Sequence, residues 1–368
     1  MTTFSLDPGQ TAWCAELRAL AAERLRPLAE KGEPGHVNRP LVEALGELGL
    51  LDRLFEEPSG RGEAGRATSG ALGLCLMRES LAYACTEAET ALALQGLGAH
   101  PVHAVRSAAQ RARWLPEARA GRAVAAFALS EPGAGSDAAA LSLAAEPDGS
   151  EGWRLTGEKR WITNAPEADF YTVFARTSPD AGARGVTAFL VPADRAGLTG
   201  TALDMLSPHP IGALAFDVVR VGRDDVLGET DRGFRVAMTT LNRFRPSVGA
   251  FAVGMAAAAL DASLAHTAER DAFGGKLKDL QSVAHQIAEM ATRTEAARLM
   301  VYAAAARRRA GGGGSGGGGG GPGSRHRAAR RHGEAARHGD RAVRRRRGRS
   351  SCTRPRAPAR SSPGAPLP

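Results

Sequence analysis

The sequence predicts a mainly α-helical protein with a β-barrel in its middle, on three observations. Leu and Ala recur at three- and four-residue steps on both flanks of the chain. The centre breaks into short runs rich in β-branched and aromatic residues, divided by turn residues, with no helical pattern between them. At 368 residues, 43% of them hydrophobic, the chain is long enough for one large core or two to three smaller ones.

From about residue 11 to 121, "TAWCAELRALAAERLRPLAEKGEPG" and "LVEALGELGLLDRLFEEPSG" carry helical periodicity interrupted by Gly and Pro, which predicts an N-terminal helical domain over 1–122. "GWRLTGEKRWITNA", "DFYTVFART", "GVTAFLVPA" and "LAFDVVRVG" follow as closely spaced strands. Strands without crossover helices predict a small antiparallel barrel or sandwich over 123–230. Helical periodicity returns in "SVGAFAVGMAAAALDASLAHTAERDAF" and "LKDLQSVAHQIAEMATRTEAARLMVYAAAARRR". In the second, Leu280, Val283, Ile287, Met290, Thr294, Ala297 and Val301 form the seam of a bundle helix. A bundle normally has about four helices, and no amphipathic segment follows Arg309, so the bundle over 231–309 reads as incomplete. Residues 310–368 read as a disordered Gly/Arg-rich tail.

The net charge of +9 comes from 48 basic and 39 acidic residues, and its placement matters more than its size. From Gly311 onward the chain holds 14 Arg, no Lys and 2 acidic residues, while the remainder is net −3. Basicity therefore belongs to the tail alone. Cys14, Cys75, Cys85 and Cys352 form no CxxC pair, which argues against a zinc site or a disulfide framework and for reduced structural thiols. "MTTFSLDPGQ" lacks the layout of a signal peptide, and no run of about 18 apolar residues suggests a membrane span. A cytoplasmic protein is expected.

Two motifs carry the chemistry. In "FALSEPGAGSD", Gly133 and Gly135 allow a loop to bring peptide N–H groups close to a ligand, with Ser136 as a hydroxyl donor. The third glycine of a dinucleotide fingerprint is missing and no βαβ unit follows, so a Rossmann site is disfavoured; on spacing alone a tight turn is the better reading. In "GEKRWITNA", an indole beside a Thr hydroxyl suits a flavin ring, which needs a flat apolar contact and a hydrogen bond near its redox nitrogen. The competing reading is a strand with one buried Trp. His285 reads as a polar flank of the bundle core, and His209 in "SPHP" as part of a loop that could border an entrance.

Taken in order, "LGELGLL", "AAFALSEPGAGSD", "LTGEKRWITNAPEADFYTVFART", "GVTAFLVP", "LNRFRP", "ERDAFGGKLKDLQSVAHQIAEMAT" and "EAARLMVYAAA" resemble the acyl-CoA dehydrogenase family of flavoenzymes over about residues 10–309. The resemblance implies a helical domain, a β-barrel and a four-helix bundle, in a homo-oligomer. It implies FAD as cofactor, an acyl-CoA substrate and an electron-transferring flavoprotein as acceptor. Phe127, Leu129 and Ser130 match a segment that meets the flavin. Trp161, Ile162 and Thr163 match the segment against its ring, with Thr163 near N5. Ser136 matches a loop serine approaching CoA, and Asn242 and Arg245 match helix positions along the thioester and CoA channel. The alternative for Arg245 is a neighbouring carboxylate. Arg270, Phe273 and Gln281 match positions reaching the FAD of an adjacent subunit, with a surface ion pair as the alternative for Arg270.

The reaction the resemblance implies is α,β-desaturation of a thioester: a carboxylate removes the α-proton while the β-hydrogen leaves as hydride. In most members the base follows a glycine-rich segment in the last part of the bundle, and after Arg309 neither is found here. A minority place it within the match to "LNRFRP", where this chain has Phe244, which takes up no proton. The tail lacks Lys, Ile, Phe, Tyr, Trp, Met, Asn and Gln, as a GC-rich gene read out of frame would. The codons of "RHGEAARHGDRAV" (Arg331 to Val343), read one nucleotide later, permit "AMAKLHATETAQ", which resembles the next helix of the family. Two other readings stand beside an impaired dehydrogenase. One is an Arg-tailed polyanion binder, against which the tail's lack of aromatic residues counts. The other is a flavin-containing relative acting on carrier-protein thioesters.

Overall fold

The computed structural model describes residues 6–55, 70–104, 107–150 and 152–310; the predicted tail lies outside them apart from Ala310. Helix α1, Pro8–Leu20, starts where Asp7 and Gln10 cap each other: the Gln10 amide donates to Asp7 Oδ1 (2.8 Å) and the Asp7 amide to Gln10 Oε1 (3.1 Å). Pro27 has no N–H to give to the preceding turn, and the chain passes through one π turn, Ala21–Leu25, before α2, Arg26–Ala29. Asn38 caps α3, Arg39–Glu47, accepting from the Leu41 amide at 3.1 Å. Helices α4 (Gly70–Ala84), α5 (Thr86–Ala104) and α6 (Ala108–Arg119) complete the N-terminal part.

The middle part is a seven-stranded sheet in the order β1-β4-β2-β3-β7-β6, with β5 on the other side of β4. Its strands are β1 Ala125–Ala128, β2 Ala144–Asp148, β3 Gly152–Thr163, β4 Phe170–Arg176, β5 Val186–Pro192, β6 Leu198–Ala202 and β7 Ile211–Gly222. The expected antiparallel pairing holds for β2–β3, β3–β7, β4–β5 and β6–β7, and is corrected only where β1 and β2 pair with β4 in parallel. Between β1 and β4 the chain runs through β2 and β3, a crossover long enough to bring β4 alongside β1 in the same direction. β4 and β5 are buried almost throughout, as strands covered on both faces are. Helix α5 lies on this sheet at Gly98, where a Cβ would come within 2.7 Å of the Ala126 amide nitrogen.

The C-terminal part consists of α7, Gly233–Glu269, a short hairpin of β8 (Asp271–Ala272) and β9 (Gly275–Lys276), and α8, Gln281–Ala310. A small core of Cys75, Ala250 and Ala305, flanked by Val301, joins α4, α7 and α8. Along the predicted seam, which starts one residue before α8, only Thr294 is buried; Leu280, Val283, Ile287, Met290 and Val301 are half-buried and Ala297 is exposed. The expectation of no span-length apolar run is also corrected: α7 is long and apolar enough to cross a membrane by length and composition, with a mean hydropathy of 1.7. Within this helix Ala237, Ala250, Val253, Gly254 and Ala257 are buried in the fold.

Candidate active site

β1, the loop after it, β3, α5 and α7 converge on one cavity of about 450 Å³. Its apolar wall is Leu94 and Leu97 of α5 with Phe234, Met238 and Leu241 of α7. Opposite stand Phe127, Leu129 and Ser130, the loop residues Gly135 to Ala139, and Trp161 and Thr163 of β3; Arg245 stands on the α7 side. Among the described lining residues Arg245 is the one cation and Asp137 the one carboxylate. Seven predicted residues are thus brought together: Phe127, Leu129, Ser130, Ser136, Trp161, Thr163 and Arg245.

Trp161 is the most unusual of them. Between Lys159 and Ile162 the pairing of β3 with β7 slips by one residue, and at this bulge Trp161 has φ +59°. A bulky residue in the left-handed region costs about 1–3 kcal/mol and persists only where its surroundings fix it. The Arg160 amide donates to Ser130 O (3.0 Å), and the neighbouring Asn164, itself at φ +68°, donates from Nδ2 to Ala125 O (2.9 Å). The result is an indole 49% exposed, facing the cavity instead of the core. A strand with one buried Trp is therefore not what forms here.

The loop opposite Trp161 is held by a buried ion pair. Lys159 is fully buried and its Nζ donates to Glu131 Oε1 (2.7 Å) and Leu129 O (3.0 Å). Glu131 also accepts from the Leu143 amide (3.0 Å) and from the amide and hydroxyl of Ser142 (2.6 and 2.7 Å). Burial would raise the Glu131 carboxyl, but Lys159 and the backbone donors outweigh it and hold it below the usual range. Burial lowers Lys159 to about 8 against the pull of Glu131.

The other predicted residues lie elsewhere. The Ile162 side chain is 1% exposed within the sheet core and does not line the cavity. Asn242 accepts from Arg245 Nη1 at 2.8 Å, one turn back along α7. Arg270, Phe273 and Gln281 sit outside the cavity at the end of α7, in the β8–β9 hairpin and at the start of α8; Phe273 is 94% exposed at φ +53°. His285 is exposed. His209, lowered by burial, lines a neighbouring cavity of about 260 Å³ that shares Leu94 and Thr163 with the first.

Phe244 is 4% exposed, faces the core edge-on to His100 (centroids 6.0 Å apart), and is absent from the cavity lining. His100 is pushed down to about 3, chiefly by burial and then by Arg243 and His103, so it is neutral. Phe244→Glu is consequently expected to lose at least about 3 kcal/mol of stability, as lost packing adds to a carboxylate buried without a cation on His100. Urea unfolding at pH 7 measures this, and no gain in turnover should accompany it.

Sequence reasoning missed Glu131 and Lys159, which it quoted within motifs without assigning them a partner. It also missed the apolar wall. Phe234, Met238, Leu241 and Arg245 follow a 4-3-4 spacing along one face of α7, a signal that was present.

A cavity of about 450 Å³ lined by a half-exposed indole, the hydroxyl residues Ser130 and Thr163, an apolar wall and one guanidinium has the make-up of a cofactor or substrate site. The descriptions "Acyl-CoA dehydrogenase, N-terminal domain", "middle domain" and "C-terminal domain" match residues 7–122, 126–219 and 231–347. The last match extends past Ala310, beyond the end of the pattern read from the sequence. A protein of Mycobacterium bovis described as "Probable acyl-CoA dehydrogenase fadE25" is 38% identical over 305 residues, covering 82% of this chain and 77% of that protein. Butyryl-CoA dehydrogenase from Megasphaera elsdenii superposes with a TM-score of 0.75 at 31% identity, covering 84% of this chain and 82% of its own. Glutaryl-CoA dehydrogenase from Mycobacterium smegmatis, solved in complex with FADH2, gives 0.70 at 28% identity, covering 81% and 75%. The chain belongs to the acyl-CoA dehydrogenase family, a family of FAD-dependent oxidoreductases.

Proposed function

We propose that this chain binds FAD and an acyl-CoA thioester in the cavity between the sheet, α5 and α7, and that its α,β-desaturation step is impaired. Trp161 carries the reading: its backbone is strained, its indole is held out of the core, and what it offers is a flat apolar wall beside two hydroxyls. Trp161 would lie against the flavin ring, Thr163 and Ser130 would donate to its polar edge, and Phe127 and Leu129 would close the apolar side. Bound FAD supplies the two-electron acceptor for the β-hydride.

Ser136 and Arg245 are suited to the polar CoA portion, since a guanidinium binds phosphate bidentately and Arg245 is already oriented by Asn242. Leu94, Leu97, Met238 and Leu241 would exclude water around the acyl group. The α-proton needs a base, and among the described lining residues only Asp137 is a carboxylate; it is exposed and lies on the loop side with Ser136. Phe244 provides none. Arg270, Phe273 and Gln281 point the reading toward a homo-oligomer in which each hairpin reaches a second subunit's cofactor, with an electron-transferring flavoprotein as acceptor.

Anaerobic titration of the FAD-reconstituted chain with acyl-CoAs of varied length tests this. The flavin spectrum should shift on binding and bleach slowly or not at all. Failure to retain FAD would overturn the site, and prompt bleaching would overturn the impairment.

A further inference from the structure

We propose that Glu131 and Lys159 are positioning residues, which fix the loop bearing Ser136 and Asp137 at the distance from the Trp161 bulge that ligand binding requires. The naming of CoA as the ligand rests on the function proposed above; the placement of the pair does not.

The geometry separates this pair from an ordinary buried salt bridge. Lys159 lies on β3 two residues before Trp161, and Glu131 lies one residue after Ser130. One carboxylate therefore receives a proton donor from the strand bearing Trp161, through Lys159, and three donors from the far end of the loop, through Ser142 and Leu143. Both ends of the Ser130–Leu143 segment close on a single side chain, and its middle, Gly135 to Ala139, lines the cavity. Further bonds hold the same loop: Arg176 donates to Leu141 O (3.0 Å) and Ala139 O (2.7 Å), and Glu131 and Ala134 exchange two backbone hydrogen bonds of 3.1 Å. The pair therefore sets where the two ends of the loop sit, and with them its middle. A buried ion pair adds little stability over an apolar pair of equal volume, which leaves geometry as the property it supplies here.

That last point provides the test. Single variants strand a buried charge, so the informative form is the double variant Glu131→Gln/Lys159→Met, which removes both charges while keeping volume. Four measurements are made on the full chain: thermal unfolding, amide exchange at Ser142 and Leu143, and the affinities for FAD and for coenzyme A as separate probes. The expected result is a similar unfolding temperature, exchange at the two amides faster by at least about tenfold, and coenzyme A bound about tenfold more weakly. Lys159→Arg should recover part of the coenzyme A affinity. Unchanged exchange in a folded double variant overturns the proposal, as does faster exchange with coenzyme A affinity intact, which would reduce the pair to a brace. If the unsubstituted chain binds neither FAD nor coenzyme A, the proposed function fails, and the exchange rates still decide whether the pair holds the loop.

Discussion

Arg78→Met is expected to cost the folded chain about 3–5 kcal/mol at pH 7, and less at pH 5. Arg78 on α4 and Glu89 on α5 are 6% and 1% exposed, and Arg78 Nε donates to Glu89 Oε1 while its Nη1 donates to Ser247 Oγ on α7 at 2.8 Å. One guanidinium on α4 thus joins α5 and α7, the two helices that carry the apolar wall of the cavity. Burial raises the Glu89 carboxyl above its ordinary value even with Arg78 pulling it down. A carboxyl raised in the folded state holds a proton that the unfolded chain releases. Its contribution is fully present below the unfolded value of 4.5 and is lost as pH rises through the folded one. Without Arg78 the folded value moves higher and the loss widens toward neutrality. Urea midpoints at pH 5 and pH 7 read the difference, and Arg78→Met/Glu89→Leu should regain most of the stability at pH 7. Equal deficits at both pH values would show that Glu89 does not titrate in this range.

The three-part architecture was legible because each part has its own periodicity, whereas the starts of α1 and α3, set by the caps Asp7 and Asn38, were not read. The parallel pairing of β1 with β4 was not legible either, since nothing local records which strand lies beside β1 after a crossover through β2 and β3. The cavity was legible through motif rather than pattern: Ser136 alone reads as a turn residue, and Trp161 alone as core. What decides between those readings is the bulge between Lys159 and Ile162, a property of register against β7 that the β3 sequence by itself does not contain. Glu131 and Lys159 escaped for a related reason. They are 28 residues apart, and single charged residues in otherwise polar motifs look like solvated ones until the fold buries both. The α8 seam was overread: a heptad pattern counts residues that want partners, and at Ala297 no partner is present among the described residues.

Reading the codons after Ala310 one nucleotide later is expected to raise acyl-CoA-dependent flavin reduction by roughly 10²–10⁴-fold, the usual contribution of a positioned general base. The C-terminal family match runs to residue 347 in the frame as read, which speaks for the present frame; two observations support an altered one. The composition changes after Ala310, beyond which Lys, Ile, Phe, Tyr, Trp, Met, Asn and Gln are absent. The helices before it expose apolar side chains, with Met300 74%, Val248 54%, Leu264 45% and Met255 39% accessible, which further bundle helices or a second subunit would cover. Sequencing codons 310 to 345 and measuring the intact mass of the protein establish which frame is used. Stopped-flow reduction of both forms by one acyl-CoA then measures the step. Equal rates would show either that Asp137 serves as base in both or that the restored segment brings no carboxylate to the α-carbon, and Asp137→Asn in each form separates these: it abolishes reduction in the first case and spares what remains in the second.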